Sequence, residues 1–309
     1  MTLVDLLAPY RSVTVVGLAK NAGKTTVVNH LLAHAEGRLG LASLGLDGEA
    51  TDQLTGLAKP RIAPPAGALV STTVQLRGQA PILQELPYRT AAGAVVIVRA
   101  AGGAPVVVSG PTRLDELDGT LAALVAAGAE RLLLEGALGR MGTAAPGRTD
   151  AVVLAAGASL ADGRDDFPRR VRLALDALDL PLSDAAAAVE LRRVAGYEDE
   201  AAGEVRDGAV AEVGGALTGP LLERLIREGK RATLVVGDAT RVLARPQQVA
   251  RARRAGVVVA ARRPLAIAAV TSSPFHPDVR FEASEAHDTV AAAVDGRWPV
   301  FDVVAGLAA

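Results

Sequence analysis

The residues best placed to do chemistry are Lys24, Thr25 and Thr26, which follow Gly23 at the end of the stretch GLAKNAGKTT, residues 17–26. SVTVV precedes that stretch and VVNHLLAHA follows it, so the pattern reads as an apolar strand, a small-residue turn and a helix. A turn of this kind gathers backbone N–H groups and a helix N-terminus around an anion, which is how a nucleoside triphosphate is held. In that arrangement Lys24 reaches the β- and γ-phosphates, the Thr25 hydroxyl takes a Mg²⁺ coordination position, and Thr26 donates to the α-phosphate. Gly17 opens the loop, and Lys20, Asn21 and Ala22 wrap it. Gly23, lacking a Cβ, lets the backbone come close to phosphate. The spacing is G-x5-G-K-T-T, with the first glycine one residue earlier than in G-x-x-x-x-G-K-[ST]. The chain has only Lys20, Lys24, Lys59 and Lys230, arginine supplying its remaining positive charge, so a lysine at this spot is poorly explained as ordinary surface charge. The plainer alternative is a glycine-rich strand-to-helix turn that holds no ligand.

Those side chains need a sheet behind them and an acid opposite. RLLLEGALGR, residues 131–140, predicts an apolar strand ending in Glu135, the position of a carboxylate that holds Mg²⁺ at the carboxyl edge of a parallel sheet. The alternative for Glu135 is a solvated strand end. A helix over 112–128 feeds this strand: Leu114, Leu117, Leu121, Leu124 and Val125 follow helical spacing, Thr112 with Asp115 can cap its start, and Gly128 can end it. Further strands are expected at 12–17, 40–46, 94–100, 105–109 and 151–155, with helices at 24–35 and 168–179. The alternation predicts an α/β fold, a mostly parallel sheet with helices on both faces. The proline-rich stretch 56–93 reads as extended segments and turns, a β-excursion from the sheet. The polar run YEDEAAGEVRDG at 197–208 marks a boundary, giving a first domain over 1–198 and a smaller C-terminal α/β domain over 199–309. The latter is expected to hold helices at 217–228, 246–255 and 282–294, and strands at 232–237, 265–271 and 299–304.

Composition narrows the function classes. With 309 residues, half of them hydrophobic, the chain can bury a large core. A net charge of −1 gives no reason to expect nucleic acid or an anionic membrane as partner. The absence of cysteine excludes disulfides, thiolate metal sites, iron–sulfur clusters and cysteine nucleophiles. No apolar run approaches the ~20 residues that span a bilayer, and MTLVDLLAPYRS lacks the pattern of a signal segment, so a cytoplasmic location is expected. His30 and His34 have a chelating spacing, but Val27, Leu31 and Ala35 define the buried stripe of that helix and no carboxylate completes a set, so a structural role is favoured. Asp238 and the turn TSSPFHPD at 271–278 fall at expected strand ends and read first as turn chemistry.

The G-x5-G-K-T loop together with the segment E-G-A-x-G resembles the dethiobiotin synthetase and cobyric acid synthase branch of P-loop proteins, whose first loop glycine also sits one residue early. That similarity spans roughly the first 155 residues and implies a P-loop NTPase fold binding ATP and Mg²⁺. KNAGKTT, SLGLDGEATD at 43–52, KPRI at 59–62 and the tail AIAAVTSSPFHPD…PVFDVV together resemble the proteins identified as lysine 5,6-aminomutase reactivase subunits, over most of the chain. Two positions depart from that pattern: Glu135 in place of an aspartate, and TSSPF in place of a T-x-x-P-x-G-like turn. The resemblance implies a Mg²⁺-dependent ATPase acting on a cobalamin- and pyridoxal-phosphate-dependent aminomutase, with a second reactivase subunit or a homo-oligomer compatible with it. It also implies that Asp47, after the second strand, touches Mg²⁺ through water, with Glu49 a weaker candidate and an Asp- and Gly-rich turn the alternative. Guanine-specific relatives carry N-K-x-D or T-K-x-D; the only asparagines here are Asn21 and Asn29 and no Thr-Lys pair occurs, so ATP is expected over GTP, its adenine near AAGAS at 155–159. Three functions stay open: an ATPase acting on a partner enzyme, with weak basal turnover; an ATP-dependent ligase of dethiobiotin synthetase type; and a nucleotide binder without turnover.

Overall fold

The computed structural model describes residues 1–45, 61–102, 106–136 and 138–309, excepting the side chains of 138–140. In chain order the elements are α1 (Leu3–Leu7), β1 (Ser12–Gly17), α2 (Lys24–His34), β2 (Leu39–Ser43), β3 (Leu69–Thr73), β4 (Ile82–Thr90), β5 (Gly93–Arg99), α3 (Leu114–Ala126), β6 (Arg131–Gly136), β7 (Ala151–Gly157) and α4 (Phe167–Asp176). They continue with β8 (Val189–Leu191), α5 (Glu198–Glu204), β9 (Ala209–Val213), α6 (Gly219–Arg227), β10 (Ala232–Val236), α7 (Pro246–Arg254), β11 (Val257–Ala261), β12 (Ile267–Ser273), α8 (Ala283–Val294), β13 (Val300–Asp302) and β14 (Leu307–Ala308). Two compact units result, one of Met1–Pro168 with Ala266–Ala309, the other of Arg169–Leu265.

The first unit is built on a ten-stranded sheet of order β14-β13-β12-β7-β1-β6-β2-β3-β5-β4. From β13 to β3 the neighbours run parallel, while β5, β4 and β14 add antiparallel edges. Every residue of β1 and β7 is buried, as expected of parallel strands covered on both faces. Successive side chains of a strand point to opposite faces, and β6 shows what that divides. Leu133 packs with Val27, Leu31 and Val15 on the side of α2, whereas Leu134 packs with Leu117, Leu124 and Ile97 on the side of α3. Glu135 has the parity of Leu133 and so shares a face with α2. The chain leaves β1 toward β2 on one side, yet β6 is followed by β7 on the other, so the strand order reverses beside β1. Ligands of open α/β sheets lie at the carboxyl ends of strands at such a reversal.

The second unit is a four-stranded parallel sheet of order β11-β10-β9-β8, with α5, α6 and α7 in its crossovers. The boundary expected at 198/199 is corrected here: the smaller unit is an insertion rather than a C-terminal domain. YEDEAAGEVRDG is not a linker but carries α5, whose first turn holds Glu198, Asp199 and Glu200 against the positive helix end and which buries Ala201 and Ala202. The chain then returns to the large sheet, where β12 pairs in parallel with β7 from Ile267↔Val152 to Ser273↔Gly157.

Smaller differences also have local causes. Residues 106–108 form no strand, and Ser109 is tied to Ser71 by an N–H···O bond of 3.1 Å. Helix α3 starts after Arg113, not Thr112, and no side chain caps it; the Arg113 guanidinium binds both oxygens of Asp115 at 3.0 and 2.8 Å. Gly128, at φ 100°, ends that helix as expected. The stretch 56–93 is no excursion from the sheet: from residue 69 onward it forms β3, β4 and the start of β5, which extend the ten-stranded sheet at its edge because β3 pairs in parallel with β2. Among the described residues no helix is long and apolar enough to cross a membrane.

His30 and His34 stack at 4.5 Å between ring centroids on α2. Burial, and secondarily the neighbouring His34, hold the His30 pKa below its ordinary 6.5. As pH falls the unfolded chain takes up this proton first, so the stability from a neutral His30 is complete above about 6.5 and is lost below it. Between about pH 8 and about pH 5 the fall in Tm should therefore be smaller for His30→Gln than for the wild type.

Candidate functional site

The turn between β1 and α2 is shaped by its backbone. Asn21 at φ 60° and Gly23 at φ 94° are left-handed while Ala22 between them is not, an alternation that turns successive N–H groups to one side. Gly23 is also the N-cap of α2, and it contributes no side-chain cap to the helix N–H groups that follow. Neighbouring strand ends hold the turn in place. Leu18 N–H donates to the Ala155 carbonyl at 2.9 Å, and the Ser159 hydroxyl donates to the Lys20 carbonyl at 2.9 Å. A Cβ on Gly157 would lie 2.8 Å from Ala22 Cα, and one on Gly23 would lie 3.1 Å from Ser273 Cβ. The turn thus rests on the ends of β7 and β12.

Opposite it, β1 and β6 pair in register with Val15 beside Glu135, and β2 flanks the other side with Ser43 beside Glu135. Lys24 Nζ lies 2.9 Å from Glu135 Oε1, the two side chains 15% and 4% exposed. The Thr25 hydroxyl donates to the same oxygen at 3.4 Å. A carboxylate this buried requires a counter-charge, and the first residue of α2 supplies it. Gly136 follows where a side chain would strike Thr143 Oγ1 at 2.6 Å, so β6 leaves the site without crowding it.

Of the residues expected from sequence, Gly17, Ala22, Gly23, Lys24, Thr25 and Glu135 are brought together. Asn21 shapes the turn, Lys20 is exposed on its outer side, and Thr26 sits half-buried in the first turn of α2. Asp47 and Glu49 lie outside the described residues. The end of β2 that leads toward them is clamped: Gly45 N–H donates to the Pro111 carbonyl at 2.7 Å and Gly110 N–H to the Gly45 carbonyl at 2.9 Å. A side chain at Gly110 would meet the Ser43 carbonyl oxygen at 2.0 Å.

AAGAS is placed differently from expectation. Ala155, Ala156 and Ala158 are fully buried and Gly157 is pressed against Ala22, so the segment supports the turn instead of offering an open surface. An open cavity of about 630 Å³ lies one strand further, lined by the loop Ser273–Phe281 after β12 and by Asp302, Val304 and Ala305 after β13. His276 organises that loop. Its Nδ1 accepts from the N–H groups of Asp278 and Val279, each at 3.0 Å, which leaves Nε2 to donate to the Ala161 carbonyl at 3.2 Å. Asp238, in the other unit, caps a short 3-10 turn by accepting from Thr240 N–H at 2.9 Å, which is turn chemistry.

The turn presents N–H groups at the start of α2, and a hydroxyl and a carboxylate converge beside it as hard oxygen donors of the kind Mg²⁺ takes, an ion that keeps several waters and needs few protein ligands. Among the described residues no group of three or more His, Asp and Glu is placed to hold a metal ion. Sequence reasoning passed over Gly157 and Ser273 as supports of the turn. Their signal was a small residue at the carboxyl end of a strand, β7 for Gly157 and β12 for Ser273, which leaves room for a loop.

Gly157→Ala drives its methyl into the Ala22 backbone and should cost about 1–3 kcal/mol in chemical denaturation. Gly163→Ala, whose Cβ would meet nothing within 4 Å, should stay within about 0.5 kcal/mol of wild type. Comparison with family models, curated proteins and solved structures finds no match to this chain, so its own geometry carries the functional argument.

Proposed function

We propose that the protein is a P-loop ATPase that binds Mg²⁺–ATP on the turn 17–26 and couples its hydrolysis to a partner enzyme. The observation that carries this reading is the convergence of Lys24, Thr25 and Glu135 beneath an N–H-rich turn at the reversal of strand order. Reactivation of a cobalamin- and pyridoxal-phosphate-dependent aminomutase is the use that the sequence resemblance favours.

The roles follow from the contacts. The N–H groups of the turn and of the first turn of α2 bind phosphate oxygens, and the Lys24 ammonium carries the charge to neutralise the β- and γ-phosphates. Thr25 and Glu135 are the residues that would hold Mg²⁺; when bound, the ion offsets negative charge on the phosphate oxygens. The reaction is transfer of the γ-phosphoryl group to water: the bond from phosphorus to the bridging oxygen breaks, a bond to the water oxygen forms, and the proton of the water ends on inorganic phosphate. Positioning and charge carry such chemistry, so no covalent residue is needed. Basal turnover is expected to be weak, a partner-supplied arginine being worth ~10³ or more in rate.

The free protein adds one constraint: Lys24 is held by Glu135, so the ammonium must leave the carboxylate to meet phosphate. Lysine and divalent cation are alternative counter-charges for the same oxygen.

In calorimetry Lys24→Ala should abolish ATP binding. Because it removes the counter-charge of a buried carboxylate, it should also lower stability by about 3 kcal/mol, the low end for a buried pair. Lys24→Met combined with Glu135→Gln should recover that stability without recovering binding. Glu135→Gln alone releases Lys24 and should raise affinity for metal-free ATP while removing the dependence on Mg²⁺. Absence of any heat on titrating wild type with ATP and Mg²⁺ would sink the reading. Addition of an inactivated aminomutase with ATP should restore its turnover; no recovery and no complex would remove that partner.

A further inference from the structure

The inserted unit covers one side of its sheet with helices and leaves part of the other side open. Its strands follow one another in space as they do along the chain, β8-β9-β10-β11, all parallel. Right-handed crossovers that all step in one direction put every connecting helix on the same face, and α6 does pack beside both α5 and α7. Parallel sheets are ordinarily covered on both faces, and by helices. Burial along β11 alternates to match: Val257 and Val259 are buried, whereas Val258 between them is 37% exposed.

The helix-free face carries two rows of side chains. In the row nearer the carboxyl ends, Glu212, Val235 and Ala260 stand side by side, and the chain itself straps them over: the Arg262 guanidinium pairs with Glu212 and donates to the Ser183 and Ala185 carbonyls at 2.9 and 3.0 Å. Val235 and Ala260 are accordingly buried. In the row nearer the amino ends, Val210, Thr233 and Val258 stand side by side, the first two only half-buried.

Positive charge borders that open row. The stem of Arg231, just before β10, lies over Gly256, where a Cβ would come within 2.9 Å of Arg231 Cγ. Gly208 N–H donates to the Arg231 carbonyl at 2.7 Å and Ala232 N–H to the Gly256 carbonyl at 3.3 Å, which draws together the loops that precede β9, β10 and β11. Arg206, Arg231, Arg253 and Arg254 therefore share one edge. All four are exposed, and none of their guanidinium groups has an ion-pair partner among the described residues. By contrast Arg192, Arg224, Arg251 and Arg262 are each paired with a glutamate. Residues 169–265 hold seventeen Lys and Arg against thirteen Asp and Glu, a net charge of +4 in a chain whose net charge is −1.

We infer that this face docks an acidic amphipathic helix of a partner protein, its apolar side chains on Val210 and Val258 and its carboxylates on the arginines of the edge. A helix is the cover that the parallel sheet lacks there, and a carboxylate matches the forked donors of a guanidinium. Nucleic acid suits the face less. Glu204 and Asp207 stand among the arginines, and the loops 204–208, 227–231 and 252–256 hold no aromatic side chain for a base to stack on. The inference concerns the inserted unit alone and holds whether or not the turn 17–26 takes nucleotide.

The test is fluorescence anisotropy of the full chain with a labelled helical peptide of about 18 residues, a leucine stripe flanked by glutamates, at about 50 mM NaCl. Wild type should bind it about tenfold or more tighter than a counterpart with the same stripe flanked by lysines. Reversal of three arginines together, Arg206→Glu, Arg253→Glu and Arg254→Glu, should weaken the glutamate peptide about tenfold, Arg231 being kept because its stem packs on Gly256. The same reversal at Arg192, Arg241 and Arg245, toward the other end of the strands, should change affinity less than about twofold, which separates place from net charge. Val258→Asp should weaken the peptide about tenfold and Val258→Thr, which keeps the branched shape and the fold, about threefold. No binding of the glutamate peptide, equal affinity for the lysine peptide, equal loss from the two arginine reversals, or unchanged affinity in Val258→Thr each overturns the inference. Duplex DNA bound tighter than the peptide and released by the Arg206, Arg253 and Arg254 reversal would make the edge a nucleic-acid surface instead. A wild-type dimer in sedimentation that Val258→Asp dissolves would make the occupant a second copy of the chain.

Discussion

The meeting of the Lys24 ammonium with the buried Glu135 carboxylate is the interaction around which the first unit is arranged. Neither charge could occupy that depth alone, since an uncompensated carboxylate in a sheet core would be neutralised or would destabilise the fold. The pair forms because β1 and β6 are neighbours in fixed register and because strand parity turns Glu135 toward the helix that Lys24 begins. A slip of one residue in that register would send the carboxylate to the face of α3, among Leu117, Leu121 and Leu124.

The turn above the pair is equally dependent on its surroundings. A chain segment with two left-handed residues in three positions is strained on its own, and Asn21 in particular lacks the freedom of glycine. The hydrogen bonds from Leu18 N–H to the Ala155 carbonyl and from the Ser159 hydroxyl to the Lys20 carbonyl, with the close approach of Gly157 and Ser273, hold that conformation. A turn held in this way would lose less freedom on taking up a ligand than a flexible one.

The loops after β12 and β13 extend the same edge of the sheet. The turn 17–26 lies at the end of β1, and the cavity lined by Ser273 and Asp302 opens at the ends of β12 and β13, on the same row of strand ends. The chain reaches that row only after making an entire second parallel sheet, Arg169–Leu265. Insertion between β7 and β12 leaves the pairing of those strands intact, because their ladder is set by side chains at 152–157 and 267–273 and not by the length of the connection.

Local chemistry made much of this legible. The G-x5-G-K-T-T turn, the helix after it and the acid ending an apolar strand are short-range patterns, and β1, α2, β6, α3 and β7 form close to where their periodicity places them. What sequence could not carry was adjacency. An apolar run such as 265–271 is a buried strand in either sheet, so the division of the chain, the burial of AAGAS beneath the turn and the setting of Asp302 beside a cavity depended on which strands paired. By itself the sequence determined where a glycine-rich turn with a lysine and hydroxyls follows an apolar strand and where an acid ends another, because side-chain type and backbone freedom are local properties. Only the tertiary structure decided which strand ends face one another across the site, because strand order is fixed by the packing of the whole core and leaves no mark at any single position.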